Sequence, residues 1–185
     1  MERVARFEKV SADQFRAAMQ KVFEPMEFVD EDGNPEDQDT EFLNEAIQRT
    51  YENLQLPTRA TRFSSGYDFK APFRFVLASG ESLMIPTGIR AVFTDMSYCL
   101  LMIPRSSQGV KYGIRFSNTA GNIDADYSGA ENEGHIYIKL ENWGAEDYIA
   151  EPGDKIAQGI FLPYGITEDD SADGERTGGM GSTGR

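Results

Sequence analysis

One cysteine, one histidine and one tryptophan are all that 185 residues supply of three types on which much catalysis and cofactor binding rests. A lone Cys99 excludes an intrachain disulfide. Its setting in Tyr98-Cys99-Leu100-Leu101-Met102-Ile103 predicts a buried, inert thiol. A lone His135 rules out multi-histidine metal sites and most transition-metal centres. Positive charge is scarce as well, with 18 Lys and Arg against 31 Asp and Glu and a formal net charge of −13. That balance excludes general nucleic-acid binding, whose affinity comes from basic residues displacing counterions from phosphates. It leaves room for a small anionic ligand, because salt screens distant charges beyond roughly 8–10 Å and a few local arginines and backbone N–H groups suffice for phosphate. No apolar run approaches a bilayer span, so no membrane partner is expected. Met1-Glu2-Arg3-Val4-Ala5-Arg6 lacks the apolar stretch of a secretory signal, and a cytoplasmic location is the expectation. Chemistry must then rest on carboxylates, hydroxyls, arginines and a metal carried in by the substrate.

What is present reads as one globular domain: 39% hydrophobic and 26% charged residues over a length that suits a single core with decorations. Val4 to Val10 alternates like a strand. Ser11 with Gln14 fits a capping box, and Phe15, Met19, Val22 and Phe23 follow at helical spacing. Phe42, Leu43, Ala46, Ile47 and Tyr51, with Leu54 a turn later, predict a second amphipathic helix. Glu24 to Glu45 contains no Lys or Arg, so residues 11–54 read as an inserted helical hairpin with an acidic tip. The run Asp30-Glu31-Asp32-Gly33-Asn34, with Glu41, loosely matches a calcium loop, but Pro35 stands where that loop requires glycine, and a solvated turn is expected. Residues 56–164 change to short β-rich runs: 73–77, 82–85, 89–93, 98–103, 135–140 and 160–162, broken by Gly, Pro, Asn and Asp. Such spacing predicts a sandwich, jelly roll or barrel. Residues 165–185 are acidic and then glycine-rich, with little to bury, and are expected to form a flexible arm.

Five polar clusters interrupt this pattern. Ser65-Gly66-Tyr67-Asp68 comes first. Pro104-Arg105-Ser106-Ser107 offers a guanidinium fork and two hydroxyls to phosphate oxygens, although such residues are common in plain turns. Gly121-Asn122-Ile123-Asp124-Ala125-Asp126-Tyr127 predicts a tight hairpin with two carboxylates and a ring; Asp124 or Asp126 is the candidate general base, and an outward tyrosine on an ordinary hairpin is the alternative. Gly153-Asp154-Lys155-Ile156-Ala157-Gln158 leads into a buried strand, and Gly178-Gly179-Met180-Gly181-Ser182-Thr183-Gly184 lies in the arm.

In this order the five clusters resemble the motifs of the trimeric dUTPase family, with Leu56 to Thr61 similar to the lead-in of the first. The resemblance implies a β jelly roll, a homotrimer with sites shared between subunits, and Mg²⁺-assisted hydrolysis of dUTP to dUMP and pyrophosphate. It implies that Asn118, Gly121 and Ile123 read the uracil edge and that Tyr127 packs on the deoxyribose and excludes a 2′-hydroxyl. Arg105, Ser106, Ser107 and Gln158 would hold phosphates, joined on arm closure by Arg176, Ser182 and Thr183, with Met180 over the base where the family usually has an aromatic ring. Asp124 would deprotonate the attacking water. Asp68 would reach the water shell of a Mg²⁺ held mainly by the triphosphate.

Two alternatives share the fold. A dCTP deaminase needs a glutamate on the strand after the third motif, where Lys139 stands, and a cation cannot make a carboxylate's proton transfers. A catalytically weak nucleotide-binding regulator is opposed by the presence of both Asp68 and Asp124. The helical hairpin and the lengthened loop Ala130 to Glu133 depart from the family pattern and offer a surface for an unknown partner or a larger subunit contact.

Overall fold

Alternation of apolar and polar side chains sets the strands, and their short lengths set the architecture. The computed structural model describes residues 2–23 and 37–178. The elements run β1 (Ala5–Lys9), α1 (Ala12–Phe23), α2 (Asp37–Asn53), β2 (Thr58–Arg59), β3 (Tyr67–Lys70), β4 (Phe75–Leu77), β5 (Ser82–Pro86), β6 (Ile89–Phe93), β7 (Tyr98–Ile103), β8 (Ile114–Phe116), β9 (Gly121–Ile123), β10 (Tyr137–Asn142), β11 (Tyr148–Ala150) and β12 (Lys155–Pro163). All the strand pairings are antiparallel. The largest sheet has the order β2-β3-β12-β7-β9, the next β5-β10-β8, and the pairs β1-β6 and β11-β4 complete a jelly-roll arrangement. β6 shows the logic: Ile89, Ala91 and Phe93 point inward while Arg90 and Val92 stay partly accessible. The inward faces meet in one core that includes Phe69, Leu77, Ile85, Leu100, Ile138 and Ile156.

The two helices have a small core of their own, in which Phe15 and Met19 of α1 meet Ile47 of α2 and Val10. This cluster is tied to β1, because Tyr51 Oη donates to the Val10 carbonyl at 2.8 Å and Lys9 Nζ donates to the Tyr51 carbonyl at 2.8 Å. Among the described residues no helix is long and apolar enough to cross a membrane.

Several sequence expectations are corrected. Phe42 is not on the packed face of α2 but 71% exposed; the inner stripe is Leu43, Ile47, Tyr51 and Leu54, one position round the helix. Cys99 is half-buried rather than buried, since β7 lines the core through Leu100 and Met102 and leaves the intervening residues partly accessible. The capping box is only half formed: Ser11 Oγ accepts the Gln14 N–H at 3.1 Å, but the Ser11 N–H goes to Glu133 Oε2 at 2.7 Å. The strand expected from His135 begins at Tyr137 and continues to Asn142. The strand expected over 160–162 is the end of the nine-residue β12. The calcium-like run at Asp30 to Asn34 and the acidic tip around it lie outside the described residues, as do Met180, Ser182 and Thr183.

His135 is completely buried beneath α1, with its ring facing Phe15 and Tyr137. Its Nε2 accepts the Gly88 N–H at 2.8 Å, so the imidazole is held neutral with its proton on Nδ1. Burial pushes its pKa from 6.5 down to about 4, against a weaker opposing pull from the Glu133 carboxylate. A folded-state pKa below the unfolded one means that the unfolded chain binds the extra proton between these two values. Stability is therefore complete above pH 6.5 and falls as the pH drops towards 4. Between pH 7 and 5, above the range where most carboxylates titrate, the expected loss is about 2 kcal/mol. Urea unfolding midpoints across that window check this, and a flat profile overturns it.

Candidate active site

The third cluster folds as a strand followed by a single 3-10 turn, Ala125–Gly129, which turns the Tyr127 ring inward. Tyr127 is only 3% exposed, so the outward-tyrosine alternative is corrected. Its hydroxyl donates to the His135 carbonyl at 3.0 Å and accepts from Asn132 Nδ2 at 2.8 Å. Burial raises its pKa and keeps the phenol neutral. In front of the ring lies a cavity of about 290 Å³, bordered by Asn118, Gly121, Ile123, Met102, Tyr127 and Arg176. That volume is at the lower end of small-ligand clefts and suits a nucleoside. Lys139 of β10 also borders it.

Asp124 stands at the edge of this hairpin, half-exposed, and accepts from Asn122 Nδ2 at 2.6 Å. Its other oxygen takes Arg176 Nη1 at 2.6 Å, and the same nitrogen reaches Asp126 at 3.2 Å. The Arg176 guanidinium lies 5.0 Å from the centre of the Tyr127 ring. Both carboxylates hold Arg176 firmly charged, the hydrogen bond that it donates to Asp124 most of all. The structure thus brings Asn118, Gly121, Ile123, Asp124, Tyr127 and Arg176 together.

A second group forms where β3, β7 and β12 run side by side. Asp68 is buried, and both its oxygens are engaged by cations: Arg105 Nε at 3.0 Å and Lys155 Nζ at 2.7 Å. The pairing fixes the Arg105 fork at the start of the turn that exposes Ser106 and Ser107. Gln158 pairs across to Asp68 on one side and Ile103 on the other, and its Nε2 reaches the Pro104 carbonyl at 3.4 Å. Gly66 lies close beside it, and a Cβ there would sit 2.4 Å from Gln158 Oε1 and displace that amide. Gln108 is buried under the same turn, donating to Tyr148 Oη at 2.8 Å and to the Lys155 carbonyl at 2.7 Å. Lys155 and Gln108 carry parts of this cradle that sequence reasoning did not assign, although Lys155 lies inside the fourth cluster.

The two carboxylates, Asp124 and Asp68, do not meet within one chain. β9 pairs with β7 so that Ile123 faces Leu100, whereas Asp68 is level with Ile103 and lies three strands away. With strands about 4.8 Å apart and a rise of about 3.3 Å per residue, Asp124 and Asp68 are about 20 Å apart. A far larger cavity, about 890 Å³, lies between α1 and α2 among Arg16, Gln20, Asn44 and Gln48; it is a wide groove that holds none of the five clusters.

Among the described residues no group of three or more His, Cys, Asp or Glu can hold a metal ion. The donor set fits an ion that arrives with its own phosphate ligands. Asp68, with two of roughly four acceptor sites taken by cations, retains capacity for a water of that ion's shell.

A jelly roll with a nucleoside-sized pocket beside a carboxylate hairpin, and a buried aspartate held by Arg and Lys on the same sheet, is the frame of a nucleotide-processing protein. The chain belongs to the dUTPase family, whose model matches residues 52–184. It is 38% identical over 134 residues to the deoxyuridine 5′-triphosphate nucleotidohydrolase of Lactococcus lactis, an alignment covering 71% of this chain and 89% of that protein. The crystal structure of dUTPase from Streptococcus mutans superposes with a TM-score of 0.57 at 35% identity, over 63% of this chain and 91% of that one. A dUTPase from phage phi11 of S. aureus, whose structure reveals coordination of a structural Mg(II) ion, shares the fold at 22% identity and a TM-score of 0.54, over 66% of this chain and 92% of that one.

Proposed function

We infer that the protein is a dUTP diphosphatase, converting dUTP and water to dUMP and pyrophosphate. The observation that carries this is the Asp124–Tyr127 hairpin at the mouth of a nucleoside-sized cavity, in a chain whose relatives bear that activity in their names. Asn118 and the backbone of Gly121 to Ile123 face the base, and the inward Tyr127 forms the floor for a sugar without a 2′-hydroxyl. Arg105, Ser106, Ser107 and Gln158 orient the phosphates, with Asp68 and Lys155 setting the Arg105 fork. Asp124 takes the proton of the attacking water as its oxygen bonds to the α-phosphorus and the bond to the bridging oxygen of pyrophosphate breaks. Arg176 shifts from Asp124 to the phosphates when nucleotide enters, which frees the carboxylate and closes the arm, bringing Ser182, Thr183 and Met180 to the substrate. Asp68 would reach the water shell of a Mg²⁺ carried in by the triphosphate, and that ion would supply charge neutralisation on the phosphate oxygens.

The roughly 20 Å between Asp124 and Asp68 estimated from strand spacing supports a site shared between subunits, the cradle of one facing the hairpin of the next, and membership of the dUTPase family supports a homotrimer. The enzyme acts in the cytoplasm and takes no nucleic-acid partner. Lys139 at the cavity wall opposes the deaminase alternative, which requires a carboxylate there. A deoxynucleotide panel with Mg²⁺ tests the reading: pyrophosphate release is expected from dUTP alone, with no ammonia from dCTP. Ammonia from dCTP, or no turnover of dUTP, overturns it.

A further inference from the structure

The two segments that depart from the family pattern, the helical hairpin and the loop Ala130 to Glu133, are bonded to each other. Glu133 accepts the Ser11 N–H at 2.7 Å and the Ser11 hydroxyl at 2.5 Å, across 122 residues of sequence. Glu133 completes the N-terminal cap of α1, because Ser11 Oγ itself accepts the Gln14 N–H. Its own backbone is left-handed, with φ of 58°, a conformation that a residue with a Cβ keeps only where its surroundings hold it. Ser11 holds its carboxylate, and the Glu133 N–H donates to the Ala130 carbonyl at 2.8 Å.

The same loop holds Tyr127. Asn132, next to Glu133, donates from Nδ2 to the Tyr127 hydroxyl at 2.8 Å and accepts the Gly134 N–H on its Oδ1 at 3.2 Å. Gly134, with φ of 71°, crosses the turn that carries Tyr127 so closely that a Cβ would lie 2.6 Å from Ser128 Cα. The Glu131 N–H also donates to the Thr177 carbonyl of the arm at 3.3 Å. One short loop is thus in contact with α1, the buried phenol and the arm.

We propose that Asn132 and Glu133 are positioning residues through which the helical hairpin sets the Tyr127 floor and thereby the discrimination between deoxyribose and ribose. The proposal rests on the reading of Tyr127 given above. A buried phenol with two hydrogen bonds has one fixed height and tilt; when the Asn132 bond is lost, the ring can yield and admit a 2′-hydroxyl. Ser11 is an informative position, because it lies outside both site clusters and is bonded directly to Glu133; α1 also reaches the pocket through Phe15, which packs on His135, so Ser11→Ala is read beside Glu133→Gln.

The test measures kcat/KM for dUTP and for UTP, with Mg²⁺, in full-length wild type, Ser11→Ala, Glu133→Ala, Glu133→Gln and Asn132→Ala, beside the Tm of each. The dUTP-to-UTP ratio is expected to fall about tenfold in Asn132→Ala and Glu133→Ala, as for loss of one buried hydrogen bond. A smaller fall is expected in Ser11→Ala, with most of the ratio restored in Glu133→Gln, which keeps an acceptor for Ser11. In the double variant Ser11→Ala/Asn132→Ala the two effects are expected to be non-additive. If the Tm falls while the ratio stays within twofold of wild type in Ser11→Ala and Asn132→Ala, the loop is a structural clamp only and the proposal is wrong. A wild type that does not favour dUTP over UTP overturns the Tyr127 reading itself, and the proposal with it.

Discussion

Asp124→Asn is expected to fold, to bind dUTP and to turn it over about 10²–10⁴-fold more slowly, the usual effect of losing a general base. Folding should be kept because Asp124 is half-exposed and neither of its partners depends on it alone: Arg176 also reaches Asp126, and Asn122 keeps an acceptor in the amide oxygen. Binding should be kept because Tyr127, Ile123 and Gly121 line the cavity without help from the carboxylate. The amide cannot take the proton of the attacking water. Single-turnover rates together with a dUTP titration separate the two quantities. A kcat within about threefold of wild type would remove Asp124 from the chemistry and leave it only as the anchor of Arg176.

That dual position of Asp124 shows where sequence reasoning stops. α1 was legible because Phe15 and Met19 recur at helical spacing and both are buried. β6 was legible because its alternation is unbroken. β3 was not, because Phe69 is the one apolar core residue in its four, and beside it Asp68 is a carboxylate buried between Arg105 and Lys155, neither of them close in sequence. β9 and β11, three residues each, carry too little alternation to stand out from their turns. Phe42 was misplaced because two adjacent apolar residues, Phe42 and Leu43, fit a helical stripe equally well until the packing partner is known. The candidate site was legible as five clusters of residue types, but not as two groups whose carboxylates stand apart on one sheet. Register between β7, β9 and β12 decides that, and it is a property of pairing rather than of any single segment. The bond from Ser11 to Glu133 has no local signature at all.

The separation of Asp124 from Asp68 leads to the other large expected effect, a rescue of activity on mixing. In a ring of subunits joined head to tail, each site would take its base from one chain and its phosphate cradle from the neighbour. An Asp124→Asn chain lacks the base and keeps Arg105. An Arg105→Ala chain lacks the fork and keeps Asp124, with Asp68 still neutralised by Lys155. Each homotrimer alone should be nearly inactive. After subunit exchange at equal concentrations, random assembly puts an intact hairpin opposite an intact cradle in about a quarter of sites, so about a quarter of wild-type turnover should return. Pyrophosphate release reads the activity, and native mass spectrometry confirms that mixed trimers have formed. If each site were built within one chain, no mixture could contain an intact one, and the mixed trimers would be as inactive as their parents. That result would mean that the roughly 20 Å between Asp124 and Asp68 is closed by movement within the subunit rather than bridged by a neighbour.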